Sequence, residues 1–329
     1  MPFRFRVRLM ATTFPAVNSV KAHPDGKSQE AAHLAIGVRP PLIYRKAMSD
    51  RKKTGTPKDS HYARLRRAHR ERAQGATASQ RTAHDASPLP EGIVRLYGLH
   101  TVRAALDNPD RSIRRMMVTR NAAQRLELGD LDALPFPAEL VDPKAIDALI
   151  GPDADHQGVL VEASARVPKS LSALGDASLV LVLDQVTDPH NVGAIMRSAV
   201  AFGVDALVTT ARHSPAESGV LAKAASGALE YIDHIEVRNL ANALEELHAA
   251  GFFTIGLDSD GPQPLEESLQ GNRLALVLGS EGKGLRQKTR ETVRALARLD
   301  MPGQIRSLNV SNAAAVSLYV ARRWLTKAS

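Results

Sequence analysis

Three polar clusters interrupt apolar stretches of this chain. The first, Thr187-Asp188-Pro189-His190-Asn191, follows the apolar run that ends at Leu183 and opens a segment carrying Arg197. The second, Gly279-Ser280-Glu281-Gly282-Lys283-Gly284, closes the apolar run 274–278. The third, residues 300–312, sets a Pro302-Gly303 turn, Ser307 and Asn309 just ahead of another apolar helix. Polar side chains and free backbone N–H groups thus crowd where apolar strands turn into apolar helices, as in a loop that holds a ligand. Glycines at the carboxyl end of a strand let backbone approach such a ligand closely. Arg197 stands in an otherwise apolar helix, which predicts a buried guanidinium in need of a partner.

Each cluster also has a plainer reading. Asp188 or Asn191 serves as an N-cap, with Gly203 ending the helix after Phe202. Ser307 and Asn309 cap the helix that starts at Val310, and the glycines of 279–284 make a strand–helix turn. Two nucleotide-binding patterns are excluded. The P-loop spacing fails and no Ser/Thr follows Lys283, while Gln287 breaks Gly-x-Gly-x-x-Gly. The glycine pattern that a Rossmann-type dehydrogenase carries near its first strand is also missing from this sequence. With no cysteine there is no disulfide, thiolate metal site or Cys nucleophile. The eleven histidines form no metal-binding pair, so no metal is expected.

The positions of these clusters call for a parallel sheet. Apolar strands are predicted at 179–183, 206–209, 252–257 and 274–278, alternating with helices at 191–202, 217–229, 240–250 and 285–297. A final helix, 310–325, carries Ala313, Val316, Val320 and Trp324 along one stripe. Upstream lies a small α/β domain, 91–166. A turn into a short helix is predicted over 97–106, further helices at 121–128 and 143–149, and strands at 113–119, 138–141 and 156–163. Residues 167–177 form the linker and 178–329 the larger domain.

Charge is unevenly placed along the 329 residues. Net charge is +8, yet residues 1–90 hold 18 Lys/Arg against 6 Asp/Glu, leaving 25 against 29 in the rest. The first 90 residues are expected to be a disordered basic extension. It either binds a polyanion, since Lys/Arg contacts to phosphate release counterions, or is simply solvated. Residues 62–73, with five arginines, suit a basic helix formed on RNA. An Arg-rich transit peptide is a lesser reading, and a start at Met48 would shorten the extension. No run of 18 apolar residues spans a membrane, and the first residues lack the apolar core of a secretory signal, so the expected location is cytoplasmic.

Taken together and in order, the three clusters resemble the three motifs of the SpoU/TrmH branch of the SPOUT RNA 2′-O-methyltransferases. The resemblance implies a knotted (trefoil) parallel-sheet SPOUT methyltransferase domain. The start at Tyr97-Gly98-Leu99-His100 and the end at His156-Gln157-Gly158-Val159 resemble the small L30e-like α/β domain that binds RNA in many of these enzymes. S-adenosyl-L-methionine is then the methyl donor. Asn191, Arg197, Glu281, Ser307 and Asn309 match catalytic positions, and Gly279, Leu299 and Leu308 match cofactor-binding ones. The family casts the matching arginine as general base, but a guanidinium, with pKa above about 12, stays protonated. The expected role of Arg197 is to hold the adjacent phosphate and polarise the hydroxyl, with Glu281 orienting it and Ser307, Asn309 or a water assisting proton removal. No metal is required, because the sulfonium leaves as a neutral thioether. A homodimer, with the last helix at its interface, is also implied. The L30e-like domain points to a guanosine of 23S rRNA as the substrate. A tRNA guanosine or a non-catalytic role in ribosome assembly are the alternatives.

Overall fold

A computed structural model describes residues 89–304 and 307–328; the basic extension and the expectation of disorder for it lie outside the described residues. Two sheets organise the described chain. The first uses β1 (Ile93–Tyr97), α1 (Leu99–Asp107), β2 (Ile113–Val118), α2 (Arg120–Arg125), β3 (Ala138–Leu140), α3 (Pro143–Ile150) and β4 (Val159–Ser164). Its strand order is β1-β4-β2-β3. Strand β4 is antiparallel to both neighbours, and β3 is parallel to β2. All five residues of β1 are buried, because β1 packs against α1 and against the helix Gly219–Ala225 further along the chain.

The second sheet begins with β5 (Leu179–Asp184), α4 (Pro189–Ala201), β6 (Ala206–Thr210), α5 (Gly219–Ala225), β7 (Asp233–Val237), α6 (Leu240–Ala249) and β8 (Phe253–Leu257). It continues through β9 (Gln263–Pro264), α7 (Leu265–Ser268), β10 (Leu274–Gly279), α8 (Gln287–Thr292), β11 (Ala295–Arg298) and α9 (Val310–Ala328). The strand order is β7-β6-β5-β10-β8-β11-β9, and every pairing is parallel. The central strands β5 and β10 are Leu/Val runs, buried on both faces.

Several expectations are corrected. The helix predicted over 285–297 is only α8. Val293 then takes an extended conformation, and residues 295–298 add β11 to the free edge of β8. The helix over 217–229 stops at Ala225, because Ser226 and Gly227 both adopt positive φ (52° and 92°). Strands β1, β7 and β9 were not predicted; β7 reads Asp-His-Ile-Glu-Val, an edge strand with little apolar character. The linker is anchored rather than free, since Lys169 bridges to Ile235 of β7 and Leu171–Leu174 form a 3-10 turn. The strand expected from His156 starts at Val159, because the His156 ring accepts from the Gly158 N–H at 3.0 Å and contacts Asp147 at 3.1 Å.

On α9 the buried face is Val310, Ala314, Leu318, Ala321 and Leu325. The predicted stripe lies beside it. Val316 and Tyr319 are 45% and 51% exposed, and Val320 and Trp324 line a cleft of about 580 Å³ with Leu269 and Arg323.

Candidate active site

The sheet changes direction at β5 and β10. Strands β6 and β7 extend to one side of this pair and β8, β11 and β9 to the other. In open parallel sheets such a switch leaves a crevice at the carboxyl ends of the strands, where ligands bind. The pair is in register there, Gly279 facing Asp184. Asp184 is fully buried. Its two oxygens accept from the Arg286 backbone N–H at 3.0 Å and from Arg286 Nε at 2.6 Å. A buried carboxylate needs such donors, and here they fasten the loop after β10 to the end of β5.

That loop is a tight hairpin, closed by Gly284 N–H donating to the Ser280 carbonyl at 2.9 Å. A Cβ on Gly279 would lie 2.1 Å from the carbonyl carbon of Gly284. The hairpin's own backbone therefore requires glycine at 279, whatever ligand binds beside it.

Asn309 joins the three polar clusters. Its Oδ1 accepts from the Ser311 N–H (2.9 Å) and hydroxyl (2.6 Å), which caps the start of α9. Its Nδ2 donates to Asn191 Oδ1 at 3.1 Å and reaches Glu281 Oε2 at 3.4 Å. Capping and site-building thus coincide in one side chain. Asn191 itself is not a cap. Asp188 holds that position, its carboxylate accepting from the His190 N–H at 3.1 Å.

Arg197 differs from its expectation. Helix α4 buries Val192, Ile195, Met196 and Ala199, and Arg197 falls off that face into solvent. Among the described residues it forms no hydrogen bond or ion pair. Glu281 meets Asn309 rather than Arg197. His190, in the first turn of α4, and Lys283, in the hairpin, are exposed, so the crevice carries a lysine cation at its rim. Ser307 and Leu308 are exposed, Leu308 by 41%, and Leu299 is half-buried against the core. Ile305 and Arg306 lie outside the described residues.

Sequence reasoning missed Asp184 and Arg286. The signal was present, since a carboxylate directly after five buried apolar residues needs an explanation. The crevice brings together, among the described residues, the amides of Asn191 and Asn309 and the carboxylate of Glu281. Such groups can align a hydroxyl. Among the described residues, no group of three or more His, Cys, Asp or Glu is placed to hold a metal.

Residues 178–319 match the model of the SpoU rRNA methylase family, and residues 95–167 match that of the RNA 2′-O ribose methyltransferase substrate-binding domain. The 23S rRNA (guanosine-2′-O-)-methyltransferase RlmB of Ralstonia nicotianae is 37% identical over 236 residues, covering 69% of this chain and 94% of that protein. RlmB of Vibrio parahaemolyticus is 34% identical over 239 residues, covering 69% and 96%. Among solved structures, the SpoU methyltransferase AviRb of Streptomyces viridochromogenes, in complex with AdoMet, superposes with a TM-score of 0.61. It is 22% identical and covers 71% of this chain and 90% of its own.

Proposed function

The chain belongs to the SpoU rRNA methylase family, and we propose that it transfers a methyl group from S-adenosyl-L-methionine to the ribose 2′-hydroxyl of a guanosine in 23S rRNA. The observation that carries this reading is the convergence of Asn191, Glu281 and Asn309, one from each polar cluster, on the crevice where β5 and β10 meet. The family match and the RlmB relatives support the substrate.

The residues fit the donor. Leu308, 41% exposed beside polar Asn309, and half-buried Leu299 offer apolar cover to an adenosine, while the hairpin starting at Gly279 brings backbone to its edge. When bound, S-adenosyl-L-methionine supplies a methyl group on a sulfonium that departs as a neutral thioether. The protein's part is alignment, and orienting two reactants supplies on the order of 7–11 kcal/mol of a barrier. Arg197, exposed and free of partners among the described residues, holds the phosphate next to the target ribose and polarises the hydroxyl. Asn309, bonded to Ser311 on one side, holds Asn191 and Glu281 in place beside the same hydroxyl. Ser307 and Glu281 assist removal of its proton.

Further parts of the reading follow the family. Residues 91–166 form an L30e-like RNA-binding domain, 167–177 the linker, and 178–329 the catalytic domain. The segment between β11 and α9 threads through an earlier loop as a trefoil knot. Two copies pair through the face of α9 that exposes Val316 and Tyr319, beside the cleft lined by Trp324. The basic residues 1–90 add affinity for RNA, and the enzyme works in the cytoplasm. Incubation with labelled S-adenosyl-L-methionine and unmodified 23S rRNA, followed by mapping of resistance to alkaline cleavage, tests the proposal. One protected guanosine is expected. Label in tRNA alone would overturn the substrate, and no transfer to either RNA would overturn the reaction.

A further inference from the structure

The two sheets are joined by a buried charge cluster. Arg111 lies between α1 and β2, with its guanidinium 1% exposed. Its Nε donates to both oxygens of Glu230 at 3.1 Å, and Nη2 reaches Glu230 Oε1 at 2.5 Å. Its Nη1 donates to Glu217 Oε1 at 2.8 Å and to the Ser164 carbonyl at 2.9 Å. Glu230, also 1% exposed, accepts from Asn108 Nδ2 at 2.7 Å and pairs with Arg166 at 3.5 Å. The backbone N–H of Arg166 donates to Glu217 Oε2 at 2.7 Å. Two cations thus meet two carboxylates, with Asn108, Arg111 and Ser164 from the first sheet's part of the chain and Glu217 and Glu230 from the second's.

Apolar packing continues around the cluster. Leu99, Val102 and Ala105 share one core with Leu221, Ala222 and Leu229, and the Thr101 hydroxyl donates to the Ala222 carbonyl at 3.1 Å. At Gly219 a Cβ would lie 2.4 Å from Tyr97 Cε1 and 2.6 Å from the Arg95 carbonyl oxygen, so only glycine permits this contact. Helix α5 therefore sits between the small lobe on one side and α4, which carries Asn191 and Arg197, on the other. Buried charge networks contribute orientation more than affinity, because a forked guanidinium tolerates few geometries. Burial works against the charge of Arg111, but bonding to Glu230 and the fields of Glu217 and Glu230 prevail, so its pKa is raised.

We infer that Arg111, held by Glu230 and Glu217, is a positioning residue that fixes the small lobe on the catalytic lobe of the same chain, so that RNA gripped by the small lobe reaches α4 at a set distance and angle. This rests on the RNA-methyltransferase reading of the site. Arg111 touches neither donor nor target; it acts through the lobe it holds.

The test uses the full chain carrying Arg111→Met, with Glu217→Gln as a gentler second variant should the first fail to fold. Hydrogen exchange across α1 and α5 reads the docking, calorimetry reads S-adenosyl-L-methionine binding, and steady-state kinetics separates KM from kcat. Expected are faster exchange in α1, donor affinity unchanged, and KM for RNA raised about tenfold with kcat nearly kept. Arg111→Lys, which keeps the charge but not the fork, should recover only part of the loss. Unchanged exchange and KM in the variant that folds would overturn the inference, as would loss of kcat or donor binding in place of KM. If the wild-type protein methylates no RNA, the enzymatic reading fails, and hydrogen exchange still decides whether Arg111 holds the lobes together.

Discussion

Arg286 binds Asp184 twice, through its backbone N–H at 3.0 Å and its Nε at 2.6 Å, across 102 residues of sequence. The carboxylate is fully buried whereas the guanidinium is 40% exposed, so the pair acts as an anchor inserted from the loop into the sheet.

Asp184→Asn keeps the shape but replaces one acceptor oxygen by an amide that faces a donor. Loss of a hydrogen bond to a charged group costs about 1.5–3 kcal/mol. We expect a lower Tm and weaker binding of S-adenosyl-L-methionine, because the loop from Gly279 to Arg286 is released from β5. Calorimetric titration and thermal melts check this. Donor affinity equal to wild type would separate the anchor from the cofactor loop.

Asn309→Asp removes the Nδ2 donor shared by Asn191 and Glu281 and sets a carboxylate 3.4 Å from Glu281. The capping oxygen toward Ser311 is retained. Turnover should therefore fall about 100-fold through misalignment while α9 stays folded. Single-turnover methyl transfer and far-UV circular dichroism measure the two effects separately.

Arg197 is exposed, so Arg197→Ala should change stability by no more than about 0.5 kcal/mol. Activity should nevertheless collapse, and Arg197→Lys should recover little, because lysine lacks the planar fork. Near-full turnover in the lysine variant would remove any bidentate role.

Two groups give stability a pH dependence in separate windows. Burial, and then the charge of Arg166, lower the His234 pKa below its ordinary 6.5. The unfolded chain then binds the proton first, so stability present above pH 6.5 is lost as pH falls below it. Hydrogen bonding from Arg115 outweighs burial at Glu162, with Arg95 adding to it, and holds its carboxyl below the ordinary 4.5. Its contribution is present above pH 4.5 and fades only at more acidic values. His234→Gln should flatten urea-melt stability between about pH 7 and 5 and leave the acid limb intact. An unaltered profile in that variant would sink the assignment.

Legibility followed burial. Strands β5 and β10 are clear because five-residue apolar runs buried on both faces have little alternative. Strand β7 was hidden because an edge strand with Asp233, His234 and Glu236 reads as a loop. The segment 285–297 misled because Leu285, Val293 and Ala297 fit a helical period, whereas the free edge of β8 makes a strand the better partner for 295–298. At the site, polar residues at strand ends pointed to Asn191, Glu281 and Asn309. The bond between Asn309 and Asn191 is tertiary and cannot be read from spacing. The exposure of Arg197 was misjudged because apolar neighbours in sequence are not neighbours on the helix surface.

The place of β10 between β5 and β8 bears on how the chain reaches its final state. A hairpin can zip from its turn, but β10 must enter between two strands already separated by β6, β7 and their crossovers. Loop-closure entropy is spent before its pairings return anything, the condition that slows folding most. Helix α9 then brings Asn309 to Asn191. The crevice is thus made of contacts 102 and 118 residues apart in sequence, the kind whose loop-closure cost is greatest.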